Sequence, residues 1–224
     1  MPVEVQIYCR RPSLGEMRAL IDMGVQYVAW HVKPEDGKGL IQSHQIAAYA
    51  RARNAKSSLL IHSRKISELT AIIWMVKPDY LLLSSERDDA RMPELAEQVR
   101  PHTQLMMSVP VRVSGSDMQL PSLELARTYE AFAGCLILDT CPDPSLIQRF
   151  GCTGRTNDWT ICAEIVANAR VPVILAGGLN KHNVRAAISQ VKPDAVDACT
   201  ALELPDKSKD LIECKAFYNA AMNG

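Results

Sequence analysis

A strand-length apolar run followed by a helix-length periodic segment recurs eight times along this chain, and few folds accommodate that pattern. VEVQIYC (3–9) precedes LGEMRALIDMG (14–24), YVAWHV (27–32) precedes SHQIAAYARAR (43–53), and SLLIHS (58–63) precedes ISELTAIIWMV (66–76). DYLLLSS (79–85), QLMMSVPV (104–111) and CLILDT (135–140) precede helical patterns at 93–100, 123–133 and 158–170. PVILAG (172–177) and AVDACTAL (195–202) lead into 183–192 and 209–222. Near-continuous apolar strands that alternate with helices imply a parallel sheet covered by helices. Eight such pairs in 224 residues predict an α/β fold, a closed (β/α)8 TIM barrel, with an open doubly wound sheet as the structural rival. No linker or composition shift divides the chain, so residues 1–224 are expected to form a single (β/α)8 barrel domain. The tetrapeptide Val-Lys-Pro-Asp, at 76–79 and again at 191–194, lies between a helix and the next strand both times. The copies are four units apart, as a duplicated half-barrel would place them.

Composition excludes several classes of function. Hydrophobic residues at 47% and charged residues at 22% exclude a disordered or fibrous chain. Twenty-five basic residues against 25 acidic ones leave no global field to draw in nucleic acid or an anionic membrane. No apolar run approaches the ~20 residues of a membrane span, and the first residues lack the basic-then-apolar order of a signal peptide. The seven cysteines are odd in number, scattered and never in a CxxC. Free thiols in a reducing, cytoplasmic setting are therefore expected, rather than a disulfide frame or a zinc ribbon. Oligomeric state is left open between monomer and homodimer.

In a (β/α)8 barrel the chemistry sits at the C-terminal ends of the strands. That rule selects Cys9, His31 and Lys33, His62 and Arg64, Ser84 and Ser85, Asp139 and Cys141, Gly177 and Gly178, and Asp197, Cys199 and Thr200. After the seventh strand, Ala176-Gly177-Gly178-Leu179-Asn180 runs into a helix. Two glycines let backbone N–H groups approach an anion, and the helix start adds a favourable dipole. The plainer alternative is a glycine turn that closes the strand. A second glycine cluster, Gly151 to Trp159, fills the long loop after strand six, with Asp158 suited to cap the next helix. Asp139 among Leu136, Ile137 and Leu138 is expected to carry a raised pKa, which suits either a general acid or a structural carboxylate. Cys9 beside Arg10 and Arg11 reads either as an activated thiol or as a small buried hydrophobe. No pair of histidines or cysteines has local metal-ligand spacing, so no metal is expected.

These residues bear a family resemblance. Leu138-Asp139-Thr140 with Gly151-Cys152-Thr153-Gly154-Arg155-Thr156-Asn157-Asp158-Trp159 is similar to the leucine–aspartate strand end and GG(S/T)GxTFDW loop of the phosphoribosylanthranilate isomerases. Leu175 to Asn180 with Asn183-Val184 resembles that family's LAGGLNPENV loop, and Ala195-Val196-Asp197 through Glu203 its GVDVSSGVE segment. The opening VQIYC is compatible with the family's VKICG, and counting back from Gly24 puts the family's cysteine on Cys9.

The resemblance implies an Amadori rearrangement of an aminoaldose phosphate to an aminoketose phosphate in tryptophan biosynthesis. Asp139 would protonate the ribose ring oxygen as general acid, and Cys9 would take the C2 proton as general base. Gly177, Gly178 and Thr200 would hold the phosphate, and Gly154 and Asn180 belong to the matched binding loops. Asp197 would lie near the aromatic carboxylate end. Lys38 falls in the second-strand loop where the family carries an arginine. The implied partner is a phosphorylated small molecule, and no cofactor is needed for a proton-transfer reaction. Four departures stand out: Arg10 follows the expected cysteine, loop 33–39 has no arginine, Leu81 to Ser85 replaces VQLHG, and Cys199-Thr200-Ala201 replaces Ser-Ser-Gly. They favour, as the alternative, a diverged homologue acting on another phosphorylated sugar, or a non-catalytic binding barrel.

Overall fold

The computed structural model describes residues 3–61, 63, 65–83, 92–146 and 150–223. His62, Arg64, Ser84 and Ser85, named above as strand-end residues, lie outside the described residues. Eight parallel strands close in sequence order into one barrel: β1 (Glu4–Cys9), β2 (Tyr27–Val32), β3 (Lys56–Ile61), β4 (Tyr80–Leu83), β5 (Gln104–Arg112), β6 (Cys135–Cys141), β7 (Val173–Leu175) and β8 (Ala195–Ala198). Closure is made by β1 against β8, with Gln6 level with Asp197. The helices are α1 (Leu14–Asp22), α2 (Gly37–Ala52), α3 (Ile66–Val76), α4 (Met92–Val99), α5 (Ser122–Tyr129), α6 (Trp159–Asn168), α7 (Val184–Val191) and α8 (Leu211–Met222). The closed barrel expected from the alternation is therefore the one observed. Among the described residues no helix is long and apolar enough to cross a membrane.

Strand side chains alternate between two cores, as the pleat requires. Val5, Ile7 and Cys9 of β1, Trp30 of β2, Leu136 and Leu138 of β6 and Val196 of β8 point outward into the layer between sheet and helices. Met17 of α1 and Phe217 of α8 fill the same layer. Trp30 is fully buried there and donates its indole N–H to Ser43 Oγ at 2.8 Å, so its own burial leaves that donor paired. The barrel interior holds a smaller set, with Tyr27, Leu82, Met106, Ile137 and Ile174 at its core. Gln6 spans this interior, donating to Asp197 Oδ1 at 3.0 Å and accepting from Ser58 Oγ at 3.3 Å. The interior parity of β1 is thus set by its even-numbered residues.

The repeated Val-Lys-Pro-Asp serves one purpose in both places. Lys77 and Lys192 end α3 and α7 in the left-handed conformation, at φ 56° and 55°. The aspartate two residues on then reaches back to the start of the preceding strand. Asp79 Oδ2 accepts from Ser57 N–H at 2.8 Å, and Asp194 Oδ2 from Val173 N–H at 2.8 Å. The two clamps lie on opposite sides of the barrel, between α3 and β4 and between α7 and β8.

Helix starts are less faithful to the sequence reading. The second helix begins at Gly37, not at 43, because Asp36 caps it by accepting from Gly39 N–H at 2.9 Å. Asp158 caps α6 as expected, accepting from Thr160 N–H at 3.0 Å, and also pairs with Arg112 of β5.

Candidate active site

A cavity of about 100 Å³ opens at the C-terminal ends of the strands. Its floor is made by inward-pointing strand residues, including Tyr8, Leu60, Leu82, Ser108, Ile137, Asp139 and Asp197. Its rim is the loop after β6, from Phe150 to Gly154, facing the loops after β7 and β8. Each floor residue sits two or four positions after an interior neighbour, so β-strand alternation alone delivers it.

Asp139 is the last inward residue of β6 on the cavity floor. Burial pushes its carboxyl up to about 6, although the N–H groups of Thr140 and Cys152 favour the charged form. The Thr140 bond is 2.7 Å long. Asp197 of β8 is buried beside it. Burial raises its carboxyl to about 7; Gln6 works against the rise, and the neighbouring charge of Asp139 adds to it. Two carboxyls poised near neutrality in one cavity can give and take protons in the same turnover. Tyr8 also lines this cavity, its hydroxyl 3.4 Å from His31 Nδ1. Burial holds its phenol well above the ordinary range, with Cys152, Cys199 and Asp197 adding to the shift.

The glycine loop after β7 has the geometry of an anion cradle. Gly177 and Gly178 adopt φ 89° and 63°, and neither N–H donates to another described residue. A Cβ at Gly178 would come within 2.5 Å of the Arg155 backbone, and one at Gly177 within 2.4 Å of Thr140 Oγ1. Glycine is therefore required twice over, by conformation and by contact. Asn157, fully buried, ties this loop to β6 by donating to Ala176 O at 3.2 Å and to Leu138 O at 3.5 Å. The start of α7 lies just beyond, where a helix dipole favours negative charge. Thr200 and Gly154 face each other on the opposite rim, and Thr200 Oγ1 donates to Cys152 O at 3.2 Å.

Three expected site residues are not brought to this cavity. Cys9 is fully buried among the outward residues of β1, its thiol facing Glu16 of α1 and Cys214 of α8. Burial pushes that thiol well up. The gap-free count from Gly24 lands on an odd position, whereas the interior parity is even. Matching VQIYC to VKICG position by position instead puts Tyr8 where the motif has its cysteine. Lys38 is exposed in the first turn of α2, beside Pro12 and Ile41, because the helix starts earlier than expected. Asn180 shapes its own loop: its Oδ1 accepts from His182 N–H at 2.8 Å and its N–H donates to Asn183 Oδ1. Asp139, Asp197, Gly154, Gly177, Gly178 and Thr200 do line the cavity.

Arg10 does not crowd the cavity either. It turns to form a two-pronged ion pair with Glu203 after β8, one prong being Nε to Oε1 at 2.7 Å. Lys209, buried, completes the group with Nζ 3.4 Å from Glu203 Oε1 and 2.8 Å from Cys199 O. Among the described residues no cluster of three or more histidine, cysteine or acidic side chains is arranged to hold a metal ion.

Comparison with known proteins points to one family. Residues 96–220 match the family described as N-(5'-phosphoribosyl)anthranilate (PRA) isomerase. A relative of that name from Methanocella arvoryzae is 42% identical over 95 residues, which span 42% of each chain. One from Azorhizobium caulinodans is 27% identical over 221 residues, 98% of this chain and 92% of its own. The solved phosphoribosyl anthranilate isomerase of Thermotoga maritima superposes with a TM-score of 0.78 at 21% identity, covering 99% of this chain and all of its own. At that identity the superposition speaks for the fold. The match across residues 96–220, which carries β6, the glycine loop after β7 and β8, shows that this chain belongs to the N-(5'-phosphoribosyl)anthranilate isomerase family.

Proposed function

We propose that this protein is an isomerase of tryptophan biosynthesis that rearranges the aminoaldose N-(5'-phosphoribosyl)anthranilate to its aminoketose. One observation carries the reading: two carboxyls, the half-buried Asp139 near 6 and the buried Asp197 near 7, share a cavity whose rim carries the open Gly177–Gly178 amides. Asp139 donates a proton to the ribose ring oxygen, and the ring opens to the Schiff base. Removal of the C2 proton then gives the enolamine, and reprotonation at C1 leaves the ketone at C2. The proton count is unchanged overall, so acid–base groups suffice.

Cys9 faces the helices, so the C2 proton falls to another group. Asp197 is the assignment, because its carboxyl is the second one lining the cavity and titrates near neutrality. Tyr8 and Cys199 are both held protonated by their surroundings. The phosphate is held by the N–H groups of Gly177 and Gly178, by the start of α7, and by Gly154 and the Thr200 hydroxyl across the rim. A solved relative carries reduced 1-(o-carboxyphenylamino)-1-deoxyribulose 5-phosphate, a ligand with the phosphate and aromatic acid this site would have to take.

A second reading follows from Tyr8. A phenol stands where the family motif has its thiol, and loop 33–39 has no arginine to pair with an aromatic carboxylate. Both features favour a related phosphorylated sugar as substrate. Expression in a tryptophan auxotroph that lacks the isomerase separates the two. The first reading expects growth without tryptophan from the unaltered chain and none from Asp139→Asn. Soluble expression of the unaltered chain without growth overturns it in favour of the second.

A further inference from the structure

Two thiols meet at the rim of the cavity although 47 residues of sequence separate them. Cys152 lies in the loop after β6 and Cys199 directly follows β8, and their sulfurs are 3.4 Å apart. Both line the cavity and both are partly exposed, whereas Cys9, Cys135, Cys141, Cys162 and Cys214 are buried. The approach does not depend on sulfur alone. Thr200 Oγ1 holds Cys152 O at 3.2 Å, so the same two segments are already joined through oxygen. Cys152 sits at φ 50°, between Gly151 and Gly154, which themselves take positive φ. That is a backbone able to adjust by the small amount a covalent link requires.

We propose that Cys152 and Cys199 form a disulfide when the protein meets hydrogen peroxide, stapling the β6 loop to the β8 loop across the mouth of the cavity. A disulfide needs sulfurs about 2.05 Å apart, so the pair must close by little more than 1 Å from its present contact. Cys152, in the long loop after β6, reacts first: its sulfur attacks the peroxide O–O bond, giving a sulfenic acid and one water. Cys199 then attacks that sulfur and a second water leaves. The Cys199 proton passes to the Glu203 carboxylate, whose Oε1 already accepts the Cys199 S–H at 3.4 Å, and from there to the departing hydroxide, which leaves as that water. Lys209 Nζ, 3.8 Å from Cys199 Sγ, stabilises the thiolate as it forms. Two thiols are oxidised and one peroxide is reduced to two waters. A thiol reductant reverses the link by exchange. Neither step depends on which sugar phosphate the cavity takes.

The test is non-reducing peptide mapping of the intact, folded protein after hydrogen peroxide treatment and alkylation. Trypsin releases Cys152 in fragment 150–155 and Cys199 in fragment 186–207, each with a single cysteine. The expected product is these two fragments joined, lost again on treatment with dithiothreitol. Amide hydrogen exchange in 150–155 should slow by about tenfold in the oxidised form, because the staple suppresses local opening of the loop. In Cys152→Ser the link is absent and Cys199 is recovered alkylated. If 150–155 stays alkylated, is converted only to sulfinic acid, or joins chiefly to a fragment other than 186–207, the proposal is overturned. The same holds if the link forms and exchange in 150–155 is unchanged.

Discussion

Tyr8 and Cys9 are consecutive residues of β1 whose side chains leave on opposite faces of the barrel, Tyr8 into the cavity and Cys9 into the helix layer. One peptide unit thus separates a residue that can meet substrate from one that cannot. Cys9→Ala should therefore leave kcat/KM for N-(5'-phosphoribosyl)anthranilate within about threefold, while the small cavity beneath α1 and α8 lowers stability by about 1 kcal/mol. Steady-state kinetics and urea denaturation of the same preparation check both halves. A large loss of kcat/KM at unchanged stability would return the base to Cys9.

The pH dependence of catalysis follows from the two carboxyls. In the proposed mechanism Asp139 is protonated to act as acid and Asp197 ionised to act as base, and their values lie near 6 and 7. The log kcat/KM profile should be bell-shaped with its maximum between these values, the two limbs belonging to the pair and not to either group alone. Asp197→Asn should lower kcat/KM by about 10²-fold or more and abolish the acid limb. A profile flat from pH 5 to 9 would remove both carboxyls from the proton transfers.

Stability should respond to the same burial with a definite sign. Asp139 has its folded value raised from 3.8 to about 6, so the native state binds the proton more tightly than the unfolded chain. Below about pH 4 both states are protonated and the group is neutral to folding. Stability then falls as pH rises through 6, and above that the full penalty remains, on the order of 1–3 kcal/mol. Asp139→Asn should thus be more stable than the parent at pH 8 by that amount and equal to it near pH 4. Denaturation at the two pH values decides it; a variant less stable than the parent at pH 8 would contradict the raised value.

Much of this was legible in the chain, and what was not has identifiable causes. The barrel follows from eight apolar runs, and Asp139, Gly177 and Gly178 follow from where those runs end. The facing of β1 was also written in the sequence. Val3, Val5, Ile7 and Cys9 alternate with Glu4, Gln6 and Tyr8, which separates an apolar outer face from a polar inner one. Read as one continuous run, the strand loses that parity, and a count of residues then lands on the wrong neighbour. The start of α2 escaped for a different reason. Gly37-Lys38-Gly39 has poor helix propensity, and only the Asp36 cap and burial of Leu40 below it make that turn helical. The meeting of Cys152 with Cys199 and the role of Asn157 as a tie between β6 and β7 depend on how a long loop folds back. No local pattern encodes such a contact.

The repeated clamp offers the last prediction, independent of chemistry. Lys192 occupies the left-handed region at φ 55°, which costs an L-residue roughly 1 kcal/mol that glycine does not incur. Lys192→Gly should therefore stabilise the barrel by up to about 1 kcal/mol, less whatever backbone entropy glycine adds to the unfolded chain. Asp194→Ala, two residues on, should do the opposite. It leaves Val173 N–H at the start of β7 without its 2.8 Å acceptor, a loss of about 1–3 kcal/mol for a donor turned away from water. The counterparts Lys77→Gly and Asp79→Ala should behave alike, although Asp79 also accepts from Ser57 Oγ at 2.6 Å and so has one bond more to lose. Denaturant midpoints for the four variants check the set. If the aspartate changes cost nothing while the glycine changes stabilise, the repeat is only a pair of helix ends. Matching losses at positions 79 and 194 would make it a clamp used twice, once in each half of the barrel.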